Sequence, residues 1–309
     1  MWSMLKEIKS YGVQETGPQI RQGGTAGIIL QMLAPKLKRQ YMVSGDIYLY
    51  PYTRKITTRT YNCIHFYKKL MILHEIRYKK IVFFTGAGMS AESGVPTYRG
   101  SGGIWDSYKW QDYACQRAFD SNPEHVLDFH QLRRIEALKC KPHVGHEIIT
   151  KIQNKTNNSW IVTQNIDGMH QRANSKNIIE LHGSLWELRC EAEMKTFRDI
   201  KNPEYADRLC KCGAILRPNI IWFEDNLDQK TLNKTYEIVS TCDLFISIGT
   251  SGLVFPAAGI PNLAKTNGAL CIEVNPENTS MSSCYDVNIR KSASEGLKDL
   301  IRELSKNEK

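Results

Sequence analysis

An α/β fold, a parallel sheet with helices on both faces, is predicted by three features of the 309-residue chain. Four short β-branched or aromatic runs begin after residue 80, each ends abruptly in a polar or glycine-containing cluster, and helical segments lie between them. Short, largely apolar runs of this kind suit strands buried on both faces, as in a parallel sheet covered by helices. In such sheets ligands bind beyond the carboxyl ends of the strands. All four runs carry their polar residues at that end, so one cleft is expected to collect them.

The first run, Ile81 to Phe84, leads into Thr85-Gly86-Ala87-Gly88, and the second, Trp160 to Val162, into Thr163-Gln164-Asn165-Ile166-Asp167. The third, Leu244 to Ile248, leads into Gly249-Thr250-Ser251, and the fourth, Ala269 to Val274, into Asn275-Pro276-Glu277. Between the first two, Asn122-Pro123-Glu124 supplies an N-cap, a proline at the first helical position and an early acid, which opens a helix running to about Lys139. At the far end Leu297, Leu300, Ile301 and Leu304 recur at helical spacing and predict an amphipathic closing helix.

The formal charge of +9 is not spread evenly: residues 1–80 hold 14 Lys/Arg against 4 Asp/Glu, and the remainder holds 27 against 28. The excess sits in a basic leader over residues 1–75, suited to an organelle-targeting segment and equally to a flexible extension. The body carries no broad basic surface, so no nucleic-acid partner is expected. Nine irregularly spaced cysteines fit a reducing compartment better than a disulfide framework. The apolar stretch Ala26 to Ala34 is broken by Gln31 and too short to span a bilayer, so no membrane association is expected. The expected location is the cytoplasm, with the mitochondrion as the alternative.

Gly86-Ala87-Gly88-Met89-Ser90-Ala91 fits the glycine fingerprint of dinucleotide sites, in which the last position is glycine or alanine. The first glycine permits a tight turn, the second lets a pyrophosphate approach the backbone, and the small last residue lets helix and strand pack closely. The chain then departs from a plain dehydrogenase pattern. Ser93-Gly94, Pro96, Tyr98, Arg99 and Gly100 to Gly103 lead to Trp105, which suggests a loop able to fold over a cofactor with an arginine for phosphate or ribose.

The run GAGMSAESGVPTYRGSGGIW, the segments TQNIDGMH at 163–170, ELHGS at 180–184, RPNIIWFED at 217–225, GTSGLVFPAA at 249–258 and EVNPE at 273–277 resemble, in order, the signature blocks of sirtuins. The resemblance covers about residues 81 to 300 and is closest to the branch that removes acidic acyl groups, the desuccinylase type. It implies a Rossmann-like core over about 76–104, 158–187 and 217–309, a helical insertion over about 105–157, and a smaller zinc-ribbon-like and helical module over about 188–216.

By the same resemblance the chain is an NAD-consuming protein-lysine deacylase. Gly86, Ala87, Gly88, Ser90 and Ala91 would cradle the NAD phosphates, with Pro96, Tyr98, Arg99 and Trp105 in the loop beside them. Gln164, Asn165, Ile166 and Asp167 would line the nicotinamide and ribose pocket. Gly249, Thr250, Ser251, Asn275, Pro276 and Glu277 would hold the adenosine half, with Ser292 and Ala293 near the adenine. His182 would be the general base, with Asn165 and Asp167 as its catalytic companions. A histidine ordinarily titrates near neutrality, which suits proton exchange with a ribose hydroxyl. Products would be free lysine, nicotinamide and O-acyl-ADP-ribose. As non-chemical roles, His182 could pack at the turn before Gly183, and Asn165 and Asp167 could cap a strand-to-helix junction. Ile221, Trp222 and Phe223 would contact the acyl-lysine peptide, added as a strand along 219–225. The position after Phe223 is glycine in the family and Glu224 here.

Two further departures stand out. Sirtuins carry two CxxC pairs on a structural zinc, whereas this chain offers an incomplete set, Cys190, Cys210 and Cys212, with Glu193 or Glu191 as the conceivable fourth ligand; a degraded site without metal, its module resting on packing alone, is the equal alternative. Desuccinylase-type members pair a tyrosine and an arginine three residues apart to bind the acyl carboxylate. The corresponding residues here are His130 and Arg133, whose spacing puts both on one helix face. ADP-ribosyl transfer to protein would use the same NAD cleavage, and an inactive NAD-binding module is the remaining alternative.

Overall fold

The computed structural model describes residues 78–98, 102–156, 158–200 and 203–305. The leader expected over 1–75 and the loop residue Arg99 lie outside the described residues. In chain order the elements are β1 (Ile81–Thr85), α1 (Ala87–Ala91), α2 (Ile104–Ser107), α3 (Trp110–Tyr113), α4 (Gln116–Ser121), α5 (Pro123–Lys139), α6 (Val144–Lys155) and β2 (Ser159–Thr163). They continue with α7 (Met169–Arg172), β3 (Ile178–Glu180), β4 (Gly183–Cys190), β5 (Lys195–Arg198), β6 (Arg217–Ile220), α8 (Gln229–Val239) and β7 (Leu244–Ile248). The last are α9 (Ile260–Thr266), β8 (Leu270–Val274), β9 (Val287–Ile289) and α10 (Ala293–Ser305).

The four expected strands form the centre of one parallel sheet in the order β3-β2-β1-β7-β8-β9. Residues of β1 alternate between two apolar layers. Ile81 and Phe83 pack with Ile148, Ile149 and Ile152 of α6 and Leu297 and Leu300 of α10. Val82 and Phe84 pack with Ile238 and Val239 of α8 and Ile260 and Ala264 of α9. Side chains on both faces of one strand are therefore removed from water, each large one contributing about 1.5–3 kcal/mol, and this is why the strand has no polar alternation. No helix among the described residues is long and apolar enough to cross a membrane.

A second, three-stranded sheet in the order β5-β4-β6 is antiparallel. Its inward residues Leu185, Leu188 and Ile220 share an apolar cluster with Val126 and Leu127 of α5 and Phe119 of α4. Helix α5 begins where the sequence predicts, since the Asn122 side chain accepts the His125 N–H at 3.1 Å. The stretch expected as one helical insertion thus divides. Its α4 and α5 belong with the cysteine-bearing module, whereas α6 faces the main sheet because its isoleucines lie on one side.

Arg134 joins α5 to that module. It is fully buried, donates from Nη1 to Asp199 Oδ2 at 3.1 Å and from Nη2 to Asp199 O at 2.6 Å, and lies over the rings of Tyr205 and Trp186 at 4.6 and 5.2 Å. Removing one member of such a pair leaves the other charged in a dry place. Arg134→Ala is expected to lower unfolding stability in urea by about 3–5 kcal/mol; a loss below about 1 kcal/mol, the range of an exposed pair, would contradict this.

Candidate functional site

A cleft of about 870 Å³ opens beyond the carboxyl ends of β1, β2, β7 and β8, a size that accommodates a cofactor-sized ligand. Of the residues expected at the cofactor, it is lined by Gly86, Ala87, Gly88, Ala91, Tyr98, Trp105, Gln164, Asn165, Ile166, Gly249, Thr250, Ser251, Asn275, Pro276, Glu277, Ser292 and Ala293. His182, His130, Arg133, Ile221, Trp222 and Phe223 line the same cleft.

Backbone contact holds the floor together. Gly88 N–H donates to Gly249 O at 2.8 Å, and Gly249 adopts φ +59°, where a Cβ would stand 2.4 Å from the Gly88 carbonyl carbon. A side chain there would force the two turns apart. Gln164 Nε2 donates to Thr250 Oγ1 at 2.9 Å and Asn275 Nδ2 to Thr250 O at 3.1 Å, which link the ends of β2 and β8 to that of β7. Asn165 Nδ2 donates to Gly86 O at 2.9 Å and to Ser90 Oγ at 3.2 Å, so this side chain ties its turn to the glycine turn instead of capping a helix.

His182 is half-buried on the segment joining β3 to β4. Its Nδ1–H donates to Gln164 O at 3.0 Å, which sets the neutral tautomer with the lone pair on Nε2. Gly183 follows with φ +74°, and a Cβ there would lie 1.9 Å from Asn219 O, so only glycine lets β4 pass β6 and present the histidine.

Three expected residues sit behind the cleft wall. Ser90, Pro96 and Asp167 line an adjoining cavity of about 10 Å³, shared with Ala87, Tyr98, Arg133, Asn165 and Ile166. Asp167 does perform the local capping role, accepting the Met169 N–H at 2.9 Å. Burial nevertheless raises its carboxyl above the usual range, against that hydrogen bond, one from Ser90 and the nearby charges of Arg172 and Arg133. The Tyr98 hydroxyl is pushed up to about 12, by burial first, with the Arg133 charge beside it opposing the shift.

At the acyl end, His130 Nε2 lies 3.1 Å from both Trp222 Nε1 and the Tyr113 carbonyl oxygen, and the His130 and Trp222 rings stack 5.8 Å apart. Burial drives the His130 pKa down to about 3, with the Arg133 and Arg217 charges adding to the fall. The pair expected to converge on an anion therefore contains one cation, Arg133, and one neutral ring. Arg217, itself buried, lies 3.6 Å from the Trp222 ring centroid and pairs with Asp225, which fixes the 220–225 segment. Glu224 is not among the cleft-lining residues; it pairs with Arg117 of α4, whose Nε donates to it at 3.1 Å.

Away from the cleft, the Sγ atoms of Cys190, Cys210 and Cys212 lie within 4.8 Å of one another, with Cys190 and Cys212 at 3.6 Å. Glu193 Oε2 is 3.8 Å from Cys210 Sγ, whereas Glu191 is engaged with Arg189 and Arg217. The three thiols could hold a metal ion, and Glu193, which lies outside that group, also pairs with Lys195 Nζ at 3.0 Å.

The sequence reading left several cleft residues without a role. Leu253 and Phe255 are 59% and 78% exposed at the cleft, and Phe129 lines it from α5. The signal for the first two was an apolar pair directly after a glycine-containing turn, where a buried strand has already ended. Thr279 and Ser280 also line the cleft, from a loop whose hydroxyls lie beyond the motif at the end of β8.

A Sir2 family model matches residues 86–256. An NAD-dependent protein deacylase of Aquifex aeolicus is 43% identical over 228 residues, which are 72% of this chain and 95% of that relative. NAD-dependent protein deacylase 2 of Pyrobaculum aerophilum is 40% identical over 226 residues, 73% of this chain and 91% of that one. Among solved structures, a mutant Sir2 homologue in complex with ADP-ribose superposes with a TM-score of 0.72 at 34% identity, covering 77% of this chain and 96% of the other. A Sir2 homologue in complex with NAD gives 0.71 at 35% identity over 78% and 94%.

Proposed function

Because the chain belongs to the Sir2 family, we propose that it is an NAD-dependent protein-lysine deacylase with a preference for acidic acyl groups such as succinyl, malonyl and glutaryl. The observation that carries this reading is that His182, Asn165 and the glycine turns at 86–88 and 249 line one cleft, with the imidazole fixed by Gln164 O. NAD, when bound, supplies the ribose carbon that receives the acyl oxygen as nicotinamide departs.

The chain's own residues divide the remaining work. His182 keeps its proton on Nδ1 against Gln164 O, so Nε2 is the atom that accepts a proton from a ribose hydroxyl. Asn165 is held from behind by Gly86 O and Ser90 Oγ and orients the ribose side. Asp167, its carboxyl raised by burial, stands behind the wall at the nicotinamide end. Gly86, Gly88 and Gly249 offer backbone without side chains to the phosphates, and Asn275 with Glu277 borders the adenosine.

Substrate contacts follow from the same geometry. The N–H groups of Ile221, Trp222 and Phe223 are donated to His182 O, Asp225 Oδ2 and Ala114 O. A peptide strand added there would donate its own N–H groups to the carbonyls of this segment, reading little sequence. Arg133 supplies the charge for an acyl carboxylate in fork geometry, and His130, held neutral by burial, adds none. A zinc ion held by Cys190, Cys210, Cys212 and Glu193 would be structural, with all four positions taken by protein.

Two measurements test this reading. On acetyl-, malonyl-, succinyl- and glutaryl-lysine peptides with NAD, the wild type should release nicotinamide and O-acyl-ADP-ribose, and His182→Ala should lose at least about 100-fold in kcat. Arg133→Ala should cut kcat/KM about tenfold or more on the acidic acyl peptides alone. Equal rates on acetyl and succinyl peptides, unmoved by Arg133→Ala, would remove the acyl preference, and ADP-ribose found on protein side chains would favour transfer instead. Separately, metal analysis of purified protein should find about one zinc per chain, less firmly retained in Glu193→Gln; under about a tenth of an equivalent would sink the zinc assignment.

A further inference from the structure

Behind the cleft, on the side away from any ligand, lies a group of buried histidines that none of the steps above uses. His146 and His170 are fully buried, with ring centroids 5.0 Å apart. Their proton positions follow from their partners. His146 Nδ1 accepts the His143 N–H at 3.3 Å, so its proton is on Nε2. The Thr85 hydroxyl donates to Thr163 Oγ1 at 2.8 Å, and a hydroxyl has one proton. Thr85 Oγ1 is therefore the acceptor in its 3.0 Å contact with His170 Nε2, and His170 carries its proton there. Burial keeps His170 neutral, with its pKa down to about 3.

The chain of bonds continues into the site. Thr163 Oγ1 also accepts the Asn165 N–H at 3.0 Å, and Gln164 N–H donates to Thr85 O at 2.9 Å. Gln164 O in turn receives the Nδ1–H of His182, and Asn165 Nδ2 reaches Gly86 O and Ser90 Oγ. Thr85 and Thr163 are register partners at the ends of β1 and β2, so one hydroxyl pair bridges the two strands where the cleft begins.

We infer that His170, acting through Thr85 and Thr163, is a positioning residue that fixes the Gln164–Asn165 turn and thereby holds His182 in its Nδ1–H tautomer. The direction of the hydroxyl chain carries the argument. With His170 donating, the Thr85 proton stays available to Thr163, and Thr163 presents a lone pair to Asn165. Without His170 the Thr85 hydroxyl is free to turn away from Thr163, the Thr163 rotamer loses that restraint, and the 164–165 peptide, whose N–H Thr163 holds and whose carbonyl faces His182, is less firmly placed. His170 Nδ1 has no hydrogen-bond partner among the described residues, so the Thr85 hydroxyl is the one side-chain tie that the ring makes. The inference rests on the reading of His182 as the general base, and its test is chosen to separate the two.

The test is the imidazole nitrogen spectrum of His182 in the folded full chain, assigned by its loss in His182→Gln, for wild type and for Thr163→Val, Thr163→Ser and His170→Leu. Wild type and the hydroxyl-retaining Thr163→Ser should show His182 as a single Nδ1–H tautomer. Thr163→Val and His170→Leu should show mixed tautomers, with kcat down about 10- to 100-fold and KM for NAD within about twofold, as for a catalytic group slightly misplaced. If His170→Leu does not fold, the near-isosteric Thr163→Val decides. A wild-type His182 spectrum and kcat in folded Thr163→Val would overturn the inference, as would an equal loss in Thr163→Ser. A wild type without deacylase activity but with the expected tautomer change would instead overturn the functional reading and leave this inference standing.

Discussion

Backbone meets backbone where β1 and β7 end, and the site depends on that contact. Gly88 donates to the Gly249 carbonyl, and neither position has room for a side chain. Two adjacent parallel strands thus finish in turns that touch, which leaves main chain exposed to the cleft on one side and a largely apolar sheet below. Phosphate recognition by backbone needs this closeness, since any Cβ would hold the anion off.

Around that floor the polar groups are held by one another, not by solvent. Gln164, Thr250 and Asn275 link three strand ends, while Asn165 reaches back to the glycine turn. His182 enters from the segment before β4 and takes its orientation from the same turn, so one short stretch, Thr163 to Asn165, holds both the glycine turn and the imidazole. The smaller module contributes the other wall through Trp222 and Phe223. Its link to α5 by the buried Arg134–Asp199 pair keeps Arg133, one residue earlier, facing the cleft.

Much of this was legible in the chain because strand burial and ligand chemistry both leave local marks. The short, largely apolar runs before Thr85, Thr163, Gly249 and Asn275 named the four central strands, and Asn122-Pro123 named the start of α5. The edge strands β3 and β9 escaped because three residues each carry too short a pattern. The grouping of α6 escaped because an amphipathic helix declares an apolar face and not the layer that covers it. The neutral state of His130 was hidden for a different reason. Spacing on a helix places two side chains together, but only the depth of burial, with the Arg133 and Arg217 charges beside it, decides that one of them carries no charge. Glu224 likewise needed its partner Arg117, which lies more than a hundred residues away along the chain.

The histidines at 146 and 170 illustrate the same limit, since nothing local to them distinguishes a packed ring from one that orients a distant turn. The most direct trial of the central claim, that the four strand ends meet around a single dinucleotide, is amide hydrogen exchange with and without ADP-ribose. Exchange should slow together in the segments 86–91, 249–254 and 275–280, which are far apart in sequence and joined only by the cleft. Slowing confined to one of them, or to none at saturating ligand, would contradict the account.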